Sequence, residues 1–198
     1  PPGLMVSSCI CYFLYMSIRR IAGHDLAPGK IIKDHIHVDG TEVHVPHVII
    51  SGTSPGPVLL VTAGIHNAEF VGIQAAIELS SEIDPEQLAG TLIIVPLANR
   101  SGFENRTMSM VHEDGKNLNR VFPGDENGTA ADRLAYLLFN TFIKHSDAYV
   151  DLHSGDGYEE LVPYVYYVGD TSCEKKSAGM AACVNTEFIV RSRCMSGG

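Results

Sequence analysis

The sequence lacks a hydrophobic run long enough to cross a membrane as a helix. Its longest apolar stretch, from Leu4 to Ile18, is interrupted by serines and falls short of the roughly 20 residues that a spanning helix needs. Basic residues do not precede this stretch, as they would in a secretory signal peptide. We interpret it as a buried strand or helix or as an artefact of the gene start, with a signal or anchor as the alternative. Residues 1–25 are therefore an N-terminal segment of uncertain role.

Basic residues are also in deficit. The chain has 14 Lys and Arg against 23 Asp and Glu, which gives a formal net charge of −9. Because phosphate binding needs a basic face, this balance argues against a nucleic-acid partner. The content of 45% hydrophobic and 19% charged residues is typical of a globular chain, and 198 residues suffice for one ordinary domain.

The sequence has no CxxC pair, and its five cysteines are an odd number. A disulfide framework or a cysteine zinc site is therefore not expected, and this usage favours a reducing cytoplasm. Cys9 and Cys11 lie in the apolar N-terminal run and are interpreted as small buried hydrophobic residues.

What the sequence does contain is a series of strand patterns. Residues 30–50 alternate polar and apolar side chains and predict two antiparallel strands that turn at Asp39 and Gly40. Continuous apolar runs predict strands that are buried on both faces, and these lie at 58–63, 91–96 and 148–153. Two further strands are predicted at 164–168 and 188–190.

Helices are predicted over 67–82 and 130–144, where apolar residues recur at helical spacing. The polar segment from Asn99 to about Gly128 is predicted to be a loop, and loops of this length are usually functional. Strands that alternate with helices predict an α/β fold with a mixed, largely parallel central sheet flanked by helices. In such sheets ligands bind at the carboxyl ends of the strands.

Most of the nine histidines are interpreted as surface residues. One group alternates along the N-terminal strands, where a solvated strand face is favoured over a metal-binding tract, and a second group lies in polar loops. The first group is His35, His37, His44 and His47, and the second is His24, His112 and His145.

His66 and His153 differ, because each directly follows a predicted buried strand. Glu69 lies three residues after His66 at the start of a predicted helix, where positions i and i+3 share a face. Two histidines and one glutamate with an open fourth position form the ligand set of a catalytic zinc. His-x-x-Glu spacing often arises by chance and is weak evidence by itself. A metal site is favoured because a third predicted ligand, His153, follows a second buried strand at the corresponding end.

Three segments carry a resemblance to a known family. They are 63–69, 114–124 and 151–155, in this order along the chain. The segments resemble the succinylglutamate desuccinylase/aspartoacylase family, a branch of the zinc carboxypeptidase (M14-like) superfamily. The resemblance covers about residues 45–170, and its motifs are specific for the superfamily but not for one substrate.

The resemblance implies roles for the matching residues. His66, Glu69 and His153 match the family's ligands for one Zn²⁺ ion. Asn119 and Arg120 match the pair that binds the substrate carboxylate, a role that suits the two parallel N–H donors of a guanidinium.

Two further positions match the family less closely. Arg106 resembles the arginine that polarises the scissile carbonyl and stabilises the oxyanion. Asn117 stands where the family often has an aspartate that accepts a hydrogen bond from a zinc histidine. A neutral amide oxygen can still accept this bond but should raise the basicity of the ligand less. Asn67 stands where the family usually has glycine.

The family's catalytic glutamate lies well downstream of the last zinc histidine. Glu159 and Glu160 follow His153 too closely, and Glu187 has no motif around it, so none of them is assigned as the base. We expect residues 26–198 to be the N-terminal and central part of a zinc-hydrolase catalytic domain, truncated at its C-terminus, with the base beyond residue 198.

The resemblance implies zinc-dependent hydrolysis of the amide bond of a small, anionic N-acylated amino acid, with no nucleic-acid or membrane partner. Two alternatives remain open: a metallocarboxypeptidase that acts on peptide C-termini, and a non-catalytic zinc-binding fragment without the glutamate base. The sequence leaves the acyl group, the amino acid and the oligomeric state open.

Overall fold

The structure is a computed structural model that describes residues 19–193. The apolar run from Leu4 to Ile18, with Cys9 and Cys11, lies outside the described residues. Within them, no helix combines the length and the apolar character required to cross a membrane. The chain divides into two units between Gly157 and Tyr158.

The first unit contains a hairpin and a five-stranded sheet. The hairpin strands are β1 (Arg19–Ile21) and β2 (His24–Leu26), and the sheet strands are β3 (Ile31–His37), β4 (His44–Ser51), β5 (Ser54–Ala63), β6 (Ala89–Val95) and β7 (Ala148–Leu152). The order in the sheet is β3-β4-β6-β5-β7. The strand β5 is parallel to β6 and β7, whereas β4 is antiparallel to β3 and β6.

Helices cover both faces of this sheet. The helix α1 (Phe70–Glu82) follows β5 and packs Ile73 and Ala76 against one face. On the opposite face, the helix α3 (Ala130–Thr141) packs Leu134 and Leu138. The central strands are apolar on both sides because both faces are covered. The α/β fold with a mixed sheet flanked by helices is thus confirmed.

The segment predicted as a loop, 99–128, contains more structure than its polarity suggested. A short helix, α2 (Arg100–Asn105), begins where the Asn99 side chain accepts a hydrogen bond from the Gly102 amide. A 3₁₀ turn, Leu118–Arg120, is capped in the same way by Asn117. The prediction of a continuous loop was wrong because asparagine side chains can begin helical turns in a polar segment.

The second unit consists of β8 (Tyr164–Gly169), the helix α4 (Glu174–Ala181) and β9 (Phe188–Arg193). The strands β8 and β9 pair in parallel with each other, which confirms the two strands predicted there. Arg191 forms ion pairs with Asp170 and Glu174 and so links β9 to the preceding elements.

His47 is buried, so the prediction that it lies on a solvated strand face was wrong. Its exposed fraction is only 2%, whereas His35, His37 and His44 are exposed as predicted. The positions of His44 and His47 differ by three, an odd number, so on one strand their side chains point to opposite faces. His47 therefore faces the core, where its ring lies 5.5 Å from the ring of Phe142.

The buried His47 should be a weak point of the fold. Neither ring nitrogen makes a hydrogen bond of normal geometry with a described residue. Burial lowers the pKa of His47, and the nearby Val45 backbone and Asp34 only partly oppose this effect. Since the pKa in the folded state is below that in the unfolded state, protonation favours unfolding. The resulting loss of stability begins below about pH 6.5 and is complete below the folded-state pKa.

We therefore predict that His47→Leu stabilises the protein by about 1–2 kcal/mol at pH 7.5, because it removes unpaired buried nitrogens. The gain should increase at pH 5.5, where only the wild-type protein must keep a buried histidine neutral. Urea unfolding at the two pH values measures both effects. The exposed His44→Leu serves as the control on the opposite face of the same strand. An equal dependence on pH in all three proteins would contradict the prediction.

Candidate functional site

The carboxyl ends of two neighbouring parallel strands bring His66, Glu69 and His153 together. In the register of β5 and β7, Ala63 lies opposite Leu152, so the residues that follow the two strands meet at the same edge of the sheet. The atom His66 Nδ1 lies 2.9 Å from Glu69 Oε1, and His153 Nδ1 lies 2.7 Å from Glu69 Oε2. The three predicted ligands are adjacent, and their role in metal binding stays a prediction.

A turn, rather than a helix face, brings His66 and Glu69 together. The helix α1 begins at Phe70, so the prediction of a helix from residue 67 was wrong, and Glu69 is the N-cap residue. The Glu69 amide donates to the His66 carbonyl at 3.3 Å, which closes the turn. The Glu69 carboxylate makes no capping bond to α1 but accepts hydrogen bonds from both imidazoles and from the Ser154 amide at 3.0 Å.

A glycine in the first turn of α1 lets the helix lie close to β7. A Cβ atom at Gly72 would lie 3.0 Å from the carbonyl oxygen of Leu152, which is closer than most real contacts of this kind. Leu152 directly precedes His153. The absence of a side chain at Gly72 therefore allows the start of α1, with Glu69, to approach the end of β7.

The electrostatics of the cluster favour an ionised glutamate. Burial opposes the ionisation of Glu69, but hydrogen bonds from His153 and His66 outweigh burial and lower its pKa to about 2. Hydrogen bonds to Asp151 and Glu69 raise the pKa of His153 to about 10, and the bond to Glu69 raises the pKa of His66. At neutral pH a metal ion would therefore meet a carboxylate and would displace a proton from His153 Nδ1.

The donor set fits a zinc ion. Each of the three side chains offers one ligand atom, an imidazole nitrogen or a carboxylate oxygen, and these three atoms lie within 4.8 Å of one another. Tetrahedral zinc with bonds of about 2.0–2.1 Å separates neighbouring ligand atoms by about 3.3 Å. The observed Nδ1–oxygen distances of 2.9 and 2.7 Å, which go to the two different oxygens of Glu69, are shorter, so each imidazole would move away from the carboxylate to admit the ion.

The outer nitrogens of both imidazoles contact oxygen atoms. His66 Nε2 lies 3.1 Å from Asn117 Oδ1, and His153 Nε2 lies 2.8 Å from Asp151 Oδ2. An acceptor at Nε2 keeps the proton there and leaves the Nδ1 lone pair for a metal. Asn117 lies beside His66, and its role as the acceptor of a zinc ligand stays a prediction. Asp151 was not predicted as a site residue, although the predicted strand 148–153 places it two positions before His153 and so on the same face.

Asn117 also connects His66 to the turn that carries Asn119 and Arg120. The atom Asn117 Oδ1 accepts a hydrogen bond from the Asn119 amide at 2.9 Å, and the buried Leu118 anchors the turn in the core. The side chains of Asn119 and Arg120 are exposed, and Arg120 Nη1 donates to the Asn119 carbonyl at 2.9 Å. The residues predicted to bind a carboxylate therefore lie next to the His66 side of the cluster.

Arg106 lies in a loop that is tied to the cluster through other residues. It ends α2 in the left-handed conformation, with φ of 58°, and its side chain is exposed. Among residues 19–193, no hydrogen bond or ion pair joins its guanidinium to the three predicted ligands. The Ala68 amide donates to the Met108 carbonyl at 3.0 Å, so the loop of Arg106 contacts the turn between His66 and Glu69.

A buried pair of asparagines forms the second tie between these segments. Asn99 Nδ2 donates to Asn67 Oδ1 at 2.9 Å and to the Met110 carbonyl at 3.0 Å, while its Oδ1 accepts from the Gly102 amide. Both asparagines are buried. This pairing gives Asn67 a structural role at a position where the family resemblance leads one to expect glycine.

We predict that Asn99→Ala destabilises the protein by about 2–4 kcal/mol, because it removes the cap of α2 and leaves the buried Asn67 Oδ1 and Gly102 amide without the partner that Asn99 provides. Chemical denaturation measures the loss. Asn105→Ala, at an exposed position of the same helix, should cost well under half as much. Equal losses in the two variants would show that the buried pair has no special role.

The chain matches a known protein family over more than half of its length. The model of the succinylglutamate desuccinylase/aspartoacylase catalytic domain matches residues 55–192. N-alpha-acetyl-L-2,4-diaminobutyric acid deacetylase of Halomonas elongata is 36% identical over 124 residues, which are 62% of this chain and 35% of that protein.

Two solved structures have a similar fold. An aspartoacylase family protein of Mesorhizobium loti has a TM-score of 0.73 and 28% identity, with 83% of this chain and 54% of that chain covered. The product-bound ectoine utilization protein EutE (DoeB) of Ruegeria pomeroyi has a TM-score of 0.70 and 26% identity, with 87% and 56% covered. The chain thus spans about a third of the curated relative and just over half of these structures.

Proposed function

The chain belongs to the succinylglutamate desuccinylase/aspartoacylase family, and on this premise we propose that it is a zinc-dependent hydrolase that cleaves the amide bond of a small, anionic N-acylated amino acid. The observation that carries the proposal is the convergence of two imidazoles and a carboxylate at the carboxyl ends of β5 and β7. His66, Glu69 and His153 would hold one Zn²⁺ ion. The exposed Asn119 and Arg120 lie next to this group and are available to a substrate.

The residues around the metal ligands would bind and orient the substrate. Bound zinc supplies Lewis acidity, which polarises an amide carbonyl and makes water a stronger acid. Arg120 offers two parallel N–H donors to a substrate carboxylate, and Asn119 adds a neutral donor beside it. Arg106 would donate to the oxyanion that develops on the carbonyl, from a loop tied to the His66–Glu69 turn. The exposed Glu159, Glu160 and Glu187 receive no role in proton transfer.

The first substrates to test follow from the names of the relatives. The curated relative is a deacetylase of N-acetylated 2,4-diaminobutyric acid, and the family name includes a desuccinylase and an aspartoacylase. These compounds share an amide bond and a free carboxylate. A carboxylate on the amino-acid part is what the Asn119–Arg120 turn is proposed to bind, so an acylated amino acid fits the site better than an acylated amine.

In a form that includes its glutamate base, the zinc-loaded protein should hydrolyse at least one of N-acetyl-L-2,4-diaminobutyrate, N-acetyl-L-aspartate and N-succinyl-L-glutamate. A chelator should abolish the activity and added zinc should restore it, which an amine-release assay can follow. Cleavage of a peptide C-terminus but of no acylated amino acid would support the carboxypeptidase alternative. Zinc binding without any hydrolysis would support the non-catalytic alternative.

His153→Ala should lose most of the bound zinc, because it removes one of three protein ligands. Metal content after gel filtration measures this loss. His145→Ala removes an exposed histidine close to the start of β7 and should keep the metal. Full retention of zinc by the His153 variant would refute the ligand assignment.

Arg120→Lys should raise KM about tenfold or more and change kcat much less, because lysine keeps the charge but loses the paired donors that hold a carboxylate. Steady-state kinetics on the best substrate of the panel measures both constants. Lys116→Arg, a charge-conserving change just before this turn, is the control and should leave KM within a factor of two. An unchanged KM for the Arg120 variant would exclude its role in carboxylate binding.

A further inference from the structure

We propose that Asp151 is a positioning residue that fixes the tautomer and the orientation of His153, and that zinc affinity therefore depends more on Asp151 than on Asn117. The inference rests on the proposed function only in that it takes His153 as a zinc ligand. It is carried by the different surroundings of the two imidazoles.

The first step is the contact between Asp151 and His153. Both side chains lie on the same face of the chain, because their positions differ by two at the end of β7. Asp151 Oδ2 lies 2.8 Å from His153 Nε2, on the side of the ring opposite to Glu69, which lies 2.7 Å from Nδ1. With the proton held on Nε2 by Asp151, only Nδ1 has a lone pair for a metal ion, and that nitrogen already points towards Glu69.

The second step is the way in which Asp151 itself is held. In the register of β5 and β7, Thr62 lies directly opposite Asp151. The buried Thr62 Oγ1 donates to Asp151 Oδ1 at 2.6 Å and is 2.9 Å from the hydroxyl of Tyr149. Both carboxylate oxygens are thus engaged, one by the sheet and one by His153. The paired strands therefore fix the direction in which Asp151 points and, through it, the plane of the His153 ring.

The third step is the asymmetry between the two predicted histidine ligands. The acceptor at His66 is the neutral amide oxygen of Asn117, which is 3.1 Å away and is shared with the Asn119 amide. The acceptor at His153 is a carboxylate at 2.8 Å that is held by paired strands. Hydrogen bonds to charged acceptors are shorter and about twice as strong as neutral ones. Asp151 should therefore orient its histidine more firmly and raise its basicity more than Asn117 does.

The proposal is tested by zinc affinity, measured by competition with a chromophoric chelator. Asp151→Ala should weaken zinc binding about 10- to 100-fold, the range typical of partners that orient a metal ligand. Asp151→Asn keeps the shape, with its oxygen available to His153 and its amide to Thr62, and should recover part of this loss. Asn117→Ala should weaken binding less than Asp151→Ala does. The exposed Asp39→Ala controls for the loss of one negative charge and should bind zinc as tightly as the wild type.

A spectroscopic measurement separates positioning from a general loss of structure. Visible absorption of the Co²⁺-loaded protein reports on the geometry of the ligands and should change in Asp151→Ala and, less, in Asp151→Asn, with no change in Asp39→Ala. In the zinc-loaded wild type, ¹⁵N shifts should place the proton of His153 on Nε2. A proton on Nδ1 there would overturn the proposal.

The remaining outcomes distinguish this inference from the proposed function. If the wild type binds zinc tightly and both Asp151 variants bind it equally tightly with unchanged cobalt spectra, the inference is wrong and the proposed function stands. If the wild type binds no zinc, both are wrong. If Asp151→Ala fails to fold, the Asp151→Asn affinity and cobalt spectrum decide, since this variant retains the hydrogen-bonding shape.

Discussion

The carboxylate of Glu69 is shared by two imidazoles and a backbone amide, and the rest of the candidate site depends on this shared acceptor. Its two oxygens accept from His66 on one side and from His153 and Ser154 on the other. Three features of the fold make the sharing possible: the parallel pairing of β5 with β7, the turn that follows β5, and the close approach of α1 to β7 at Gly72. Each feature brings one group within hydrogen-bonding distance of the same carboxylate.

Around this carboxylate, the second layer of contacts connects segments that are far apart in the sequence. Asn117 joins His66 to the turn of Asn119 and Arg120, and Asn99 joins Asn67 to the loop that carries Arg106. The groups proposed to bind substrate are therefore tied by hydrogen bonds to the segments that carry the proposed metal ligands. A displacement of the His66–Glu69 turn would be transmitted to both segments that are proposed to bind substrate.

Much of the fold could be predicted from the sequence, because buried strands leave continuous apolar runs and amphipathic helices leave a period of 3.6 residues. The adjacency of His66, Glu69 and His153 followed from their positions after two such strands. The helix start could not be predicted to the residue, since Glu69 uses its carboxylate for the histidines and not for the helix. His47 was misassigned because four histidines were treated as one alternating group, although parity along β4 separates His44 from His47. The helical turns in the polar segment 99–128 depend on the caps Asn99 and Asn117. The high average polarity of the segment gave no indication of these individual caps.

The hydrogen bond between Thr62 and Asp151 spans 89 residues of sequence, and this separation bears on the order of events when the protein folds. A contact between residues so far apart forms only after a long loop has closed, so we expect the pairing of β5 with β7 to be a late and slow step. The His66–Glu69 turn can form locally, but His153 reaches it only when that pairing is complete. The newly made chain thus contains at most two of the three proposed ligands in one place until its sheet has assembled. A metal ion would then bind tightly only after folding, because all three proposed ligands come together only when the central strands are correctly paired.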